Sequence, residues 1–229
     1  MKVALSFDTD WVNKLALEYV IDLLNYYDQK GTFFATNDYE ILSAEHLPHE
    51  VGLHPNFNHL LVNGNSNYKQ IIDELFEIYP NAKGFRSHSL TTSSVILNYF
   101  KSLGLKYDSN IYHPDGAIKF KDFSGLQRFT HNYVDLGHLM SGLDLTLDNI
   151  KFSKKNLNIF CFHPIHIYLN IPSLSYYERI KHLVPSEKIA SLRNDKQKGI
   201  GNLFIDFLEF LKKKKIKTKT LISIVKDNA

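Results

Sequence analysis

Two carboxylates, Asp8 and Asp10, close the first apolar run of the chain, Val3-Ala4-Leu5-Ser6-Phe7-Asp8-Thr9-Asp10-Trp11. Val3, Leu5 and Phe7 alternate with smaller residues, the pattern of a buried strand that begins almost at Met1. Charge at the end of such a strand is costly unless it is paired or binds something. In α/β folds the C-terminal end of a strand is where ligands and catalytic groups collect. An Asp-x-Asp pair in that place points to a metal site or to acid–base chemistry. Alone, it would read as a turn in which one Asp caps a helix. It has company: His54, Arg86, Asp108 and His163 each end a further strand-like run.

The elements that must carry these residues alternate along the chain. Leu17, Val20, Ile21, Leu24 and Tyr27 have helical spacing over 15–27, and Gly31 ends that segment before a strand at 32–36. Val51-Gly52-Leu53-His54 is a short strand, 68–79 an amphipathic helix closed by Pro80, and Gly84-Phe85-Arg86 another strand. A helix over 93–103 ends at Gly104, and Leu105-Lys106-Tyr107-Asp108 returns to strand. Asn158 to Phe162 is strongly apolar strand, 200–213 a long helix and 219–224 a final short strand. Such β/α alternation favours parallel strands with helical crossovers, and in a β/α barrel their ends converge on one face. Residues 113–150 and 164–195 are less regular and read as long loops over that face.

Composition bounds the partners. The 229 residues suit a single α/β domain over 1–229, with no repeat or linker. A net charge of +3 does not by itself argue for nucleic acid. The 13 Tyr and 16 Phe supply a core and offer faces on which a sugar could stack. One cysteine, Cys161, excludes an intrachain disulfide and a Cys-based zinc site, and its apolar neighbours make it a buried strand residue. No run is long and apolar enough to span a bilayer, and the start of the chain does not read as a signal peptide, so the expected location is cytoplasmic. The run Lys212–Lys215 decorates the end of the last helix, where positive charge suits the dipole.

Taken in order, these segments resemble the polysaccharide deacetylases, the NodB-homology or carbohydrate esterase family 4 proteins. Ser6-Phe7-Asp8-Thr9-Asp10 is similar to their first motif, Thr-Phe-Asp-Asp-Gly, and Gly31-Thr32-Phe33-Phe34 to their Ala-Thr-Phe-Phe strand. Glu50-Val51-Gly52-Leu53-His54 fits Glu-Ile-Gly-x-His, Phe85-Arg86 an arginine motif, and Tyr107-Asp108-Ser109 a Tyr-Asp-Ser segment. Phe160-Cys161-Phe162-His163-Pro164 is similar to the apolar strand that ends in a catalytic histidine. The segments around Arg86-Ser87-His88-Ser89 and His163-Pro164-Ile165-His166 look most like a branch associated with O-antigen synthesis. The resemblance implies a distorted (β/α) barrel with about seven parallel strands.

It also implies roles. Asp8 is the expected base, oriented by Arg86; Asp10 and His54 are expected metal ligands; His163 is the expected acid. The family's second histidine falls four residues after the first, where this chain has Asn58, with His59 one further on. The third ligand therefore lies among Asn58, His59 and His88. Trp11, Asn58, Asp108 and His166 are candidates to meet the substrate; Trp11 could instead cover the core, Asp108 could brace the site or a loop, and His166 could be a partner, a ligand or a packed core residue. His46, His49, His113, His131, His138 and His182 read as surface or loop residues. The implied reaction is metal-dependent removal of an N-acetyl group from a sugar or sugar conjugate, with zinc the expected ion. Two other readings compete: a sugar-binding protein that kept the barrel and lost its metal, and a haloacid-dehalogenase-type phosphatase, whose strand also ends in Asp-x-Asp. The second lacks a convincing later acidic pair, Asp144 and Asp148 lying in a loop-like stretch.

Overall fold

The computed structural model describes residues 1–58, 60, 67–153, 157–184 and 189–227. Its strands are β1 (Lys2–Asp8), β2 (Gly31–Ala35), β3 (Glu50–Leu53), β4 (Gly84–Phe85), β5 (Tyr107–Tyr112), β6 (Lys119–Lys121), β7 (Gln127–His131), β8 (Tyr133–Val134) and β9 (Leu157–Phe162). They form one sheet in the order β6-β7-β5-β4-β3-β2-β1-β9-β8, parallel throughout except where β6 pairs with β7. β1 is an interior strand between β2 and β9, and every residue after Lys2 in it is buried. Burial on both faces is what makes this strand a nearly continuous apolar run.

The two ends of the sheet are joined by the chain itself. β7 pairs with β5 through Thr130 and His131, runs through Asn132, and continues as β8 beside β9. Asn132 donates its N–H to Ile159 O, and its Oδ1 accepts from Ile159 N at 2.8 Å, so its side chain completes the ladder where one strand crosses from one neighbour to the other. The sheet is thereby curled into a distorted (β/α) barrel.

The two-residue period of a strand decides what faces inward. Val3, Leu5, Phe7, Phe33, Phe160 and Phe162 pack outward with the surrounding helices. These include α1 (Lys14–Tyr26), α2 (Tyr68–Ile78), α3 (Ser94–Ser102), α4 (Asp135–Ser141), α5 (Pro164–Leu169), α6 (Leu174–Ile180) and α7 (Ile200–Lys213). Phe204 and Phe207 of α7 meet Phe162 and Phe160 edge-on, with centroids 4.9 and 4.8 Å apart. Ala4, Phe34, Tyr107, Phe129 and Ile159 form the second, inner cluster. In that register Asp8, Cys161 and Ser109 follow Ala4, Ile159 and Tyr107 on the inner side.

The expected last strand is mostly helix. Lys219 alone bridges to Ala4, and α8 (Leu221–Lys226) follows. Thr220 accepts from Ser223 N and starts the helix, a cap that outweighs the β-branched run Ile222, Ile224 and Val225. Leu221 and Ile224 close the inner cluster from the N-terminal side of the strands. Glu50 holds them there, accepting from Thr32 Oγ1 at 2.8 Å, Ile222 N at 2.9 Å and Tyr107 OH at 2.7 Å. The supposed loops also carry elements: 113–150 contains β6, β7, β8 and α4, and 164–195 contains α5 and α6. Gly84 lets the Tyr107 ring lie across β4, since a Cβ there would overlap the ring. Gly84→Ala should therefore lower stability by about 1–3 kcal/mol, the usual cost of overpacking. Urea unfolding checks this, and an unchanged midpoint would show that the ring can move aside.

Candidate active site and metal centre

Because the strands are parallel, the residues that follow them emerge at one end of the barrel. Asp8 closes β1 with its side chain turned inward, and Arg86 follows β4, fully buried. Arg86 NH1 donates to Asp8 Oδ1 at 2.9 Å, while its Nε and NH2 donate to Ser109 O and Ser109 Oγ at 2.9 and 2.8 Å. The guanidinium lies over the Phe34 ring, 4.6 Å from its centroid. Cys161 Sγ completes the group, accepting from Arg86 NH1 at 3.2 Å and donating to Asp8 Oδ2 at 3.3 Å. Burial pushes the Asp8 carboxyl up, but Arg86, then His54 and His163, outweigh it and hold the group below its ordinary value. Burial drives the Cys161 thiol well up, so it stays protonated and can donate. Asp8 is thus a fixed, ionised carboxylate with a charged partner.

Two residues on, Asp10 joins two histidines. His54 Nε2 lies 2.9 Å from Asp10 Oδ2, and His88 Nδ1 lies 2.9 Å from Asp10 Oδ1. The turn that aims Asp10 is pinned to the end of β2, where Thr9 N donates to Phe34 O and Thr36 Oγ1 donates to Thr9 O. His54 follows β3 with its N–H on Ala35 O; His88 follows Arg86 with its N–H on Pro55 O. His54 Nδ1 has no hydrogen-bond partner among the described residues and stands 3.9 Å from Asp8 Oδ1, which places the two groups side by side. Burial would raise Asp10, but His54 and His88 reverse it and hold the carboxyl well below the usual range. The three ligand atoms lie within 4.8 Å of one another. One carboxylate and two imidazoles are a donor set suited to zinc and other first-row transition metals rather than to magnesium.

Of the three candidates for the third ligand, the structure brings His88 to Asp10. His59 lies outside the described residues. Asn58 is half-buried in the segment after Pro55, its N–H on Asn56 Oδ1. Trp11 does not cover the core: it is 61% exposed beside Asp10, in a left-handed conformation with φ 55°. Asp108, a candidate to meet substrate, is corrected by its partners. It is fully buried, with Arg128 Nε and NH2 at 2.9 Å on its two oxygens and Asn110 on one of them, so it braces β5 against β7.

A third group contains a residue that sequence reasoning missed. Asp135, fully buried at the start of α4, accepts from His163 N at 2.8 Å and lies 2.6 Å from His163 Nδ1 and 3.1 Å from His166 Nδ1. The available signal was an acid directly after Tyr133-Val134, but this pair falls in the stretch 113–150, whose irregular pattern reads as loop. Burial alone would lower His163; Asp135 overrides it, with help from Asp8 and Asp10, and raises the imidazole to about 9. His166 moves the other way, because burial dominates. It too is corrected as a substrate contact: it is 1% exposed, on Asp135 and against the Tyr177 ring.

Three histidines expected at the surface or in loops are buried. His49 accepts from Gly31 N, His131 closes β7, and His138 sits between Tyr133 OH and Asp144 O. Burial lowers His49 to about 4 and His131 to about 3. Both are neutral in the folded protein while the unfolded chain takes up protons near 6.5. The unfolded state therefore binds more protons in that window, and stability falls as pH drops from about 6.5 towards 4. Each pH step of one between the unfolded and folded values is worth about 1.4 kcal/mol, so the loss for metal-free protein should reach a few kcal/mol. His163 acts oppositely, its contribution complete below 6.5 and lost as pH rises through about 9. Urea unfolding from pH 4 to 8 should show the acid-side decline; equal or greater stability at pH 4 would contradict it.

Residues 5–181 match the family model described as WbmS-like polysaccharide deacetylase, and the chain belongs to that family. A solved structure from Bordetella bronchiseptica, described as a polysaccharide deacetylase involved in O-antigen biosynthesis, is 27% identical with a TM-score of 0.84, over 91% of this chain and 90% of that one. The Bc1960 peptidoglycan N-acetylglucosamine deacetylase shares the fold at 15% identity and a TM-score of 0.56, over 97% and 86% of the two chains. A family 4 acetyl xylan esterase from Clostridium thermocellum, solved with a cobalt ion, does so at 13% identity and a TM-score of 0.51, over 97% and 89%. No curated protein matches. Among the described residues no helix is long and apolar enough to cross a membrane.

Proposed function

We propose that the protein is a metal-dependent hydrolase that removes an N-acetyl group from a sugar of a bacterial surface polysaccharide. The observation that carries this reading is the meeting, at one barrel mouth, of an Asp–Arg pair, an Asp–His–His trio and an Asp–His pair. Asp10, His54 and His88 would hold the ion, with zinc favoured by the imidazoles. When bound, such an ion makes water more acidic and an acyl carbonyl more electrophilic. Asp8, held ionised and in one orientation by Arg86, receives the proton of the attacking water. His163, kept protonated by Asp135 through neutral pH, delivers a proton to the departing nitrogen, which is a poor leaving group without it. Trp11, exposed beside Asp10, offers an aromatic face on which a sugar ring can stack. A sugar-binding protein needs neither a base with its own arginine nor an acid with its own carboxylate.

The test is stoichiometric product analysis. Purified, zinc-loaded protein is incubated with a panel of N-acetylated oligosaccharides of the O-antigen type. Acetate and free amine appearing in equal amounts is the expected result. Tight saccharide binding with neither product would favour a binding protein.

A further inference from the structure

The group around Asp135 has the composition of the Asp10 trio. In both, one buried carboxylate stands between two imidazoles, one nitrogen close to each oxygen: 2.9 and 2.9 Å at Asp10, 2.6 and 3.1 Å at Asp135. In both, the three ligand atoms lie within 4.8 Å of one another. The general-acid role proposed above uses only Asp135 and His163. It leaves His166 without a task, though this histidine is buried and aims its Nδ1 at the same carboxylate.

We propose that Asp135, His163 and His166 form a second site for a transition-metal cation, one that competes with the proton held between Asp135 and His163. The inference rests on the reading of His163 as general acid. Two imidazole nitrogens and a carboxylate oxygen select zinc, cobalt or nickel over magnesium and calcium. The site is the weaker of the two. The 2.6 Å contact must open for an ion to sit between its atoms, and Asp135 Oδ2 already accepts the His163 N–H. It is also the slower to fill, since Asp135 is fully buried and only the His163 side chain, 14% exposed, reaches solvent from this trio. Its effect is inhibitory. A protonated His163 gives up a ring proton to become a neutral imidazole. A ring coordinated through Nδ1 is neutral already and would have to become an imidazolate, so it no longer serves as an acid near neutral pH.

The experiment titrates metal-stripped protein with cobalt, followed by its visible absorption, and with zinc by equilibrium dialysis. Wild type should take up two equivalents, the second at least about tenfold weaker, and zinc-supported acetate release should rise through the first and fall through the second. His166→Ala should keep the tight equivalent, lose the weak one and show no fall at high zinc. His88→Ala should lose the tight equivalent and keep the weak one. Circular dichroism confirms folding, and Asp135→Asn, read by stoichiometry alone, replaces His166→Ala if that variant is misfolded. One equivalent in wild type, unchanged by both His166→Ala and Asp135→Asn, overturns the second site and leaves the Asp10 centre standing. One equivalent that survives His88→Ala but disappears with His166→Ala removes the Asp10 centre instead.

Discussion

Asp8→Asn should keep its metal and lose about 10²–10⁴-fold in kcat, the range that a positioned proton acceptor supplies, whereas Asp10→Asn should lose the metal itself. The two residues are separated by Thr9 alone, yet their surroundings differ. The hydrogen-bond partners of Asp8 are Arg86 and Cys161, neither of which belongs to the Asp–His–His trio. Asp10 directs both its oxygens at the imidazoles of His54 and His88. An amide at position 8 keeps the shape and forfeits the proton acceptor; an amide at position 10 replaces an anionic ligand with a neutral one. Asp8→Asn also leaves the buried guanidinium of Arg86 without its counter-charge, a loss that costs about 3–5 kcal/mol when a buried pair is broken. Unfolding curves must therefore accompany the kinetics, so that activity is referred to folded protein. Equal loss of metal from both variants would contradict the separation of roles, as would an active Asp8→Asn.

The second large effect separates substrates. His163→Ala should abolish most hydrolysis of an N-acetylated sugar and spare more of the hydrolysis of an activated acetate ester. An amine must be protonated to leave, while a nitrophenolate leaves unaided. His163 is set for this task by two bonds to one carboxylate, its backbone N–H on Asp135 Oδ2 and its ring Nδ1 on Asp135 Oδ1. Asp135→Asn should follow the same pattern more weakly, because the ring keeps a neutral partner but loses the charge that holds its proton. Wild type must turn over both substrates for the ratio to be read. An equal fall in both activities, with fold and metal intact, would show that His163 does not protonate the leaving group.

What could be read from the amino-acid sequence followed burial. β1 and β9 are buried strands, so their apolar runs stand out, and Asp8 and His163 could be placed from them, while His54 and Arg86, after the short β3 and β4, were placed by the motifs around them. β7 could not be read that way. Its Gln127-Arg128-Phe129-Thr130-His131 is polar because Arg128 pairs with Asp108 and Thr130 Oγ1 accepts from Ile118 N, bonds that a hydrophobic pattern does not reveal. Asp135 was hidden for the same reason, in the stretch 113–150 whose polar, irregular pattern reads as loop. His88 reaches Asp10 from a short 3-10 turn in which Ser89 and Leu90 are both left-handed, a course no spacing rule gives for non-glycine residues. Glu50, read as part of a site motif, works at the other end of the barrel, tying α8 to Thr32 and Tyr107.

The central claim is that Asp10, His54 and His88 hold the catalytic ion, and diffraction at an absorption edge tests it most directly. Crystals equilibrated with one equivalent of zinc and measured on either side of the zinc edge should give one strong anomalous peak, bounded by Asp10, His54 Nε2 and His88 Nδ1. A map with no peak there, or with its only peak elsewhere, would contradict that assignment.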